Sequence, residues 1–355
     1  MRILVTGSSG FVGKALTEAL VAQGHEVCGF SRNTHPRSLT GDLLDPASIR
    51  RAIDAFQPEV IYNLAAETDL KGVAQGGYAA NKVGVKNLLD AVERSDSVRR
   101  VVWASSQLVC KVGRPPAHDT DYSPEGGYGE SKVQTETMVR GRDGGGKEWV
   151  IFRSTTIWGP GMSPHYATIL GLIRRGLYFH VGRRPRMKSY SYIGNLTEQL
   201  ATLGTAPAAQ VSGRTFYLAD SDPIDLRNWA DGFAARFDRR IPTLPEPLAR
   251  SLAFVGDLLT RAGLRFPLTS QRLDNMLTEY VYDVRPIDAV HGRTRIGMDE
   301  GIRRTADWYL MESARPQAAP TPARRPADRF AEHGLSHGEQ AMASDMGQGM
   351  RQNRT

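Results

Sequence analysis

The chain of 355 residues is 40% hydrophobic and 23% charged, an ordinary soluble composition long enough for one composite unit of two lobes. No apolar run approaches the roughly 20 residues that cross a bilayer, and no secretory signal opens the chain, so the cytoplasm is the expected location. The net charge of +7 raises nucleic acid as a partner, but the charge is concentrated in one acid-free run holding Arg174, Arg175, Arg183, Arg184, Arg186 and Lys188, which fits a small phosphorylated ligand or a solvated basic surface.

Ile3-Leu4-Val5 has the length and composition of a buried strand. It leads through Thr6-Gly7-Ser8-Ser9-Gly10-Phe11-Val12-Gly13 into a helical pattern over residues 14–23. This order of strand, glycine loop and helix is what a dinucleotide pyrophosphate requires. Gly7 permits the tight turn, Gly10 lets backbone approach the ligand, and Gly13 lets helix and strand pack closely. The exposed amides at the helix start then meet the anion.

A second strand is expected at 27–30 and ends in Phe30-Ser31-Arg32. An acid there would accept hydrogen bonds from the adenosine ribose. A guanidinium suits a 2′-phosphate instead, so NADP(H) is the expected cofactor, with NAD possible. Further strands are expected at 60–64, 101–104 and 149–152, separated by helices at 46–56, 78–95 and 128–140. Strict alternation indicates parallel βαβ units with right-handed crossovers. The expected fold class is α/β, a doubly wound parallel sheet of Rossmann type in residues 1–160.

After Gly159-Pro160 the alternation breaks down. Residues 161–311 are expected to form a smaller, mostly helical substrate lobe, with one strand at 215–218 returning to the sheet. From Glu312 the chain is rich in Ala, Pro, Arg, Gln and Gly, and residues 312–355 are expected to be disordered. The two cysteines, Cys28 and Cys110, are too few for a disulfide framework or a metal cluster, and no metal is expected.

The spacing G-x-x-G-x-x-G after Thr6 resembles the extended branch of the short-chain dehydrogenase/reductase superfamily. The resemblance covers about residues 1–311. Asp42 and Leu43, in Gly41-Asp42-Leu43, resemble the loop whose aspartate contacts adenine. Asn63-Leu64-Ala65-Ala66 resembles the end of the family's fourth strand, and Asn81 its helix asparagine. The stretch from Arg153 to Gly159-Pro160 resembles RPxxxYGP, and that from Lys188 to Asn195 resembles R-D-F-x-Y-V-x-D, with Gly194 and Asn195 in place of two aspartates. The resemblance implies cofactor contacts from Thr6, Gly7, Gly10, Phe11, Val12, Gly13, Ser31, Arg32, Asp42, Leu43, Leu64, Ala65, Ala66 and Asn81.

Tyr128 and Lys132, in Tyr-Gly-Glu-Ser-Lys, stand one helical turn apart and project from one face. A free phenol titrates near 10, too high for acid–base work at neutral pH, and a neighbouring ammonium favours the phenolate. In the family such a YxxxK is the catalytic pair, and its lysine also holds the nicotinamide ribose. By the spacing to Val109, Ser106 matches the third catalytic member, which binds the reacting oxygen, with Ser105 beside it toward substrate. Gln107 and Leu108 stand where the 4,6-dehydratases carry an acid pair, so dehydration is not expected. Cys110 replaces a family tyrosine; it is either a small buried thiol or, with His118, His165 or His180, a second acid–base pair.

The activity this implies is oxidation, reduction or epimerisation of a nucleotide-diphosphate sugar, with Lys188 and Arg272 meeting the diphosphate. One alternative is reduction of a steroid-like or other small carbonyl compound. Another is a regulator that senses NADP(H) without turnover, against which the Tyr/Lys pair counts. The resemblance also implies a homodimer, paired through the helices at 78–95 and 128–140. Neither nucleic acid nor membrane is an expected partner.

Overall fold

The computed structural model describes residues 1–68, 77–261, 263–264 and 268–314. Met1–Glu312 forms one compact body; Ser313–Thr355 is a second unit, described only where the helix Met298–Ala314 ends. The tail expected to be disordered lies, from residue 315 onward, outside the described residues.

The body is organised on a seven-stranded parallel sheet. Its strands are β1 (Arg2–Thr6), β2 (Glu26–Ser31), β3 (Ser38–Thr40), β4 (Val60–Asn63), β5 (Arg100–Ser106), β6 (Glu148–Ser154) and the later strand Arg214–Leu218. The order is β3-β2-β1-β4-β5-β6, with Arg214–Leu218 added beyond β6, all pairings parallel. The strand order reverses between β1 and β4, which opens a crevice at their carboxyl ends. Three-residue β3 carries no apolar pattern and was not expected. The return of the late strand to the sheet was.

Both sheet faces are covered, which is why the strands read as near-continuous apolar runs. Alternate residues feed two cores. Ile3, Val5, Tyr62, Val102 and Phe152 point to one face, and Leu4, Ile61, Val101, Trp103 and Ile151 to the other. The second face is closed by α2 (Pro46–Phe56) and α3 (Val85–Glu93). Helix α2 starts at Pro46 because Asp45 caps it, accepting from the Ala47 amide at 2.9 Å, and proline suits a first position that needs no N–H.

The first face is closed by α1 (Phe11–Ala22) and by the helix Ile193–Thr205, through Leu16, Leu20, Leu196, Leu200 and Leu203. The Tyr62 hydroxyl donates to the Leu200 carbonyl at 3.0 Å. A helix from the stretch assigned to the substrate lobe thus serves as a cover of the sheet. With it, Pro164–Arg174, Ala208–Val211, Leu226–Arg236, Glu246–Arg261, Ser270–Leu277, Arg285–His291 and Met298–Ala314 make the C-terminal region mainly helical. No helix among the described residues is long and apolar enough to cross a membrane.

Candidate active site

A cleft of about 280 Å³ lies over the carboxyl ends of β1, β2 and β4. Gly7, Gly10, Ser31, Arg32, Asp42, Leu43, Leu64, Ala65 and Ala66 line it. Ser9, Phe30, Gly41, Leu44, Glu67 and Ala80 line it too, and the motifs had not singled these out for contact. Each of them is the chain neighbour of an expected contact. A reading of each loop as a whole rather than of its motif letters would have found them.

The glycine loop is built as the cleft requires. Gly7 has φ +67°, and a Cβ there would come within 2.8 Å of the Ala65 backbone. A Cβ on Gly13 would lie 2.2 Å from the Gly7 carbonyl oxygen, so the helix start can close onto the loop only without a side chain. Gly10 is the N-cap of α1 and offers no capping side chain, which leaves first-turn amides of α1 for an anion. These features fit a dinucleotide pyrophosphate. Thr6, by contrast, is buried and committed: its hydroxyl donates to Asn63 Oδ1 at 2.9 Å and accepts from the Ala65 amide at 3.1 Å. It fastens β1 to β4 beneath the cleft instead of lining it. Phe11, Val12 and Gly13 also lie outside the lining.

Around the adenine end, Asp42 accepts from the Leu44 amide at 3.0 Å, and the Leu43 carbonyl accepts from Asn87. Ser31 is buried, with its hydroxyl donated to the Asn33 carbonyl at 2.7 Å. Arg32 is exposed at the cleft edge, and among the described residues no carboxylate pairs with it.

Asn81 sits outside the cleft lining, in a π-helical turn, Ala80–Gly84. Its amide binds Glu67 at both N and O, at 2.9 and 3.0 Å, and donates to Ser131 Oγ at 2.9 Å. Ser131 Oγ in turn donates to the Tyr128 carbonyl. Asn81 therefore ties the loop after β4 to the helix that carries the Tyr/Lys pair.

That helix is α4 (Gly126–Gly141), so both members sit in its first two turns. Gly129 lets it approach the loop after β5, since a Cβ there would lie 2.4 Å from the Leu108 carbonyl oxygen. Lys132 is buried beneath Tyr128, its Nζ 5.9 Å from the phenol ring centroid and donating to the Ala104 carbonyl at 2.9 Å. Burial lowers the ammonium to about 8, with Glu136 pulling the other way. The Tyr128 ring packs against Tyr78 at 6.1 Å. Ser106, at the end of β5, is buried and accepts from the Leu108 amide at 3.1 Å.

Ser105 does not share the direction of Ser106. Its hydroxyl donates to Glu136 at 2.5 Å inside a buried network, so it is directed away from any substrate contact. Adjacent strand residues point to opposite faces, and strand parity was the signal that separates the two serines. Glu136 also accepts from Tyr122 at 2.9 Å and from Arg153 at 2.9 and 2.8 Å. Cys110 is buried and donates to the Asp121 carbonyl at 3.2 Å. His118 bonds Thr120, and His180 bonds Asp231. The His165 side chain lies outside the described residues.

The basic run divides, with Arg184 and Arg186 lining a small pocket beside His180 and Arg227. Arg174, Arg175, Arg183 and Arg184 are exposed, and Arg186 faces Glu246 at 3.8 Å. Lys188 is 2% exposed, donates to the Asn275 carbonyl at 2.6 Å and lies 4.7 Å over the Tyr280 ring. Burial lowers it to about 8. Arg272 is exposed on the helix Ser270–Leu277. Asn195 is buried and donates to Asp220 and to the Ile296 carbonyl, both at 2.8 Å. Near the loop after Ser106, Tyr217 and Tyr282 stack at 4.4 Å, 5° from parallel, beside Cys110.

The model of the NAD dependent epimerase/dehydratase family matches residues 3–198. The chain belongs to that family. It is 26% identical over 328 residues to the 2-alkyl-3-oxoalkanoate reductase of Stenotrophomonas maltophilia, covering 86% of this chain and 98% of the relative. It is 31% identical over 304 residues to the 3 beta-hydroxysteroid dehydrogenase/Delta 5-->4-isomerase of Mycobacterium tuberculosis, covering 79% and 81%. The fold matches the UDP-glucose 4-epimerase of Thermus thermophilus in complex with NAD at a TM-score of 0.66 and 23% identity, over 87% of this chain and 99% of that one. Membership of this epimerase/dehydratase family makes the chain an enzyme of the extended short-chain dehydrogenase/reductase superfamily, oxidoreductase or epimerase in type.

Proposed function

We propose that this enzyme moves hydride between a nicotinamide cofactor and a secondary alcohol or ketone carried on a largely apolar body, with Ser106, Tyr128 and Lys132 as its reacting group. The observation that carries the chemistry is the buried Lys132 ammonium 5.9 Å from the Tyr128 ring centroid. When bound, the cofactor supplies or accepts the hydride. Gly7, Ser9, Gly10 and the first amides of α1 would hold its pyrophosphate, Asp42 and Leu43 its adenine, Leu64, Ala65 and Ala66 its inner flank, and Lys132 its nicotinamide ribose. Tyr128 gives or takes the proton at the substrate oxygen, and Ser106 hydrogen-bonds that oxygen. An ammonium beside a phenol favours its charged form, so Lys132 would assist the proton transfer at Tyr128.

The substrate reading departs from the nucleotide-diphosphate sugar that the family resemblance implied. The Lys188 ammonium, expected to meet the diphosphate, donates instead to the Asn275 carbonyl and lies over the Tyr280 ring, while Arg184 and Arg186 line a separate small pocket. The relatives named for an oxoalkanoate and a hydroxysteroid support the apolar alternative. A panel of hydroxysteroids, 2-alkyl-3-oxo acids and nucleotide sugars, followed by cofactor absorbance and by NMR for epimerised product, tests it. Turnover confined to the nucleotide sugars would refute the apolar reading and leave the hydride chemistry standing.

We further propose NADP(H) as the preferred cofactor, on the exposed Arg32 at the cleft edge. A charge-assisted guanidinium–phosphate contact contributes on the order of 1.5 to 3 kcal/mol. Arg32→Ala is therefore expected to weaken NADP binding by at least about tenfold and NAD binding little. Equal weakening of both, measured by titration, would reduce Arg32 to an adenine-stacking role.

A further inference from the structure

The helix Glu246–Arg261 is built inside out. Ala249, Ala253 and Gly256 are buried, the two alanines against Val181, Leu268 and Leu273. The large apolar side chains face away: Leu248, Leu252, Val255 and Leu258 form one stripe at helical spacing, with Phe254 beside it 67% exposed and Leu258 60% exposed. Leu264, just past the helix, continues the patch at 59%. Such clustering on one helix is far from the scatter of single apolar residues on an ordinary surface.

The charges around this stripe are unbalanced. The acids on the helix are engaged: Glu246 with Arg250 at 2.8 Å and Arg186 at 3.8 Å, and Asp257 with the Ser270 amide at 3.1 Å. Asp274, on the neighbouring helix, also meets Arg250, at 3.3 Å. At the N-terminal end, the ribbon pairing Val181 with Leu244 delivers the exposed Arg183 and Arg184 to the start of the helix, with no ion pair among the described residues. Arg261 closes the other end. Arg261 is balanced by Asp257, one turn before it, so the unpaired arginines gather at the N-terminal end of the stripe. An apolar stripe with such a cationic end matches the acyl boundary and phosphates of an anionic bilayer. The helix has 16 residues and carries charge along one side, so it would lie in the interface plane without crossing.

We propose that this face docks the protein on anionic lipid membranes, against the sequence-based expectation of no membrane partner. The proposal is independent of the substrate reading. The test is co-sedimentation of the full chain with vesicles of phosphatidylcholine alone and with phosphatidylglycerol. Binding is expected on the anionic vesicles and is expected to weaken at high salt. The exposed-site variant L252E/L258E is expected to lose at least tenfold in partitioning, and R183E/R184E to lose binding on the anionic vesicles, both with far-UV circular dichroism and cofactor binding unchanged. Failure of the wild type to sediment with anionic vesicles overturns the proposal. So does equal binding to neutral vesicles. Light scattering gives the third outcome: if L252E/L258E turns a larger assembly into a single 39.0 kDa chain while vesicles capture nothing, a second copy covers the face and the proposal is wrong.

Discussion

Tyr128→Phe is expected to lower turnover roughly 10²- to 10⁴-fold, the usual reach of general acid–base catalysis, while cofactor affinity stays at the wild-type value. The substitution keeps the ring, and with it the packing on Tyr78, and removes only the proton-bearing oxygen. Lys132→Met is expected to lower both turnover and cofactor affinity, because one ammonium serves the phenol and the nicotinamide ribose. Its pH signature separates this role from packing. Burial lowers the Lys132 ammonium to about 8, so the charge is present below that pH and lost as pH rises through it. Wild-type turnover is therefore expected to fall on the alkaline side of about 8, and Lys132→Met to lack that limb. Ser106→Ala is expected to lower turnover, with Ser105→Ala acting through Glu136 and not through substrate. Full activity in Tyr128→Phe, on whichever substrate responds, would remove the catalytic assignment.

What the sequence made legible was local. A strand, three glycines and a helix lie within residues 1–23, and each glycine has a steric reason that a neighbour's backbone confirms, as Gly13 does against Gly7. The Tyr128–Lys132 turn needs only helical spacing. The sheet was legible because strands buried on both faces leave continuous apolar runs. Illegible were features that arise only when distant segments meet. Glu136 reads as one more polar residue on a helix surface, yet it lies buried against Arg153 of β6. The arginines near residue 180 read as one cluster because they are close in sequence, yet the pocket that Arg184 and Arg186 line also takes Arg227, from a helix far along the chain. The C-terminal lobe was expected to be mostly helical with no helix placed in it, and that reading could not say that one of its helices turns its small residues inward.

Glu136→Gln is expected to destabilise the fold by ~3–5 kcal/mol, the cost of leaving a buried charge without its partner. Both side chains of the Glu136–Arg153 pair are 0% exposed, and the contact is bidentate. Burial opposes the Arg153 charge, but hydrogen bonds and attraction from Glu136 hold the guanidinium above its ordinary range. Glutamine keeps the shape and removes the countercharge, so Arg153 would retain only neutral acceptors: the Tyr217 hydroxyl, the Asp119 carbonyl and the new amide oxygen. Ser105 and Tyr122 would lose half of a charge-assisted acceptor at the same time. The double variant Glu136→Gln, Arg153→Met removes both charges, and it is expected to recover part of the loss. Urea unfolding of the three proteins measures this directly. If the single variant unfolds within about 1 kcal/mol of wild type, the pair behaves as a surface bridge, and β5, which ends in Ser105 and Ser106, is not held in place by Glu136.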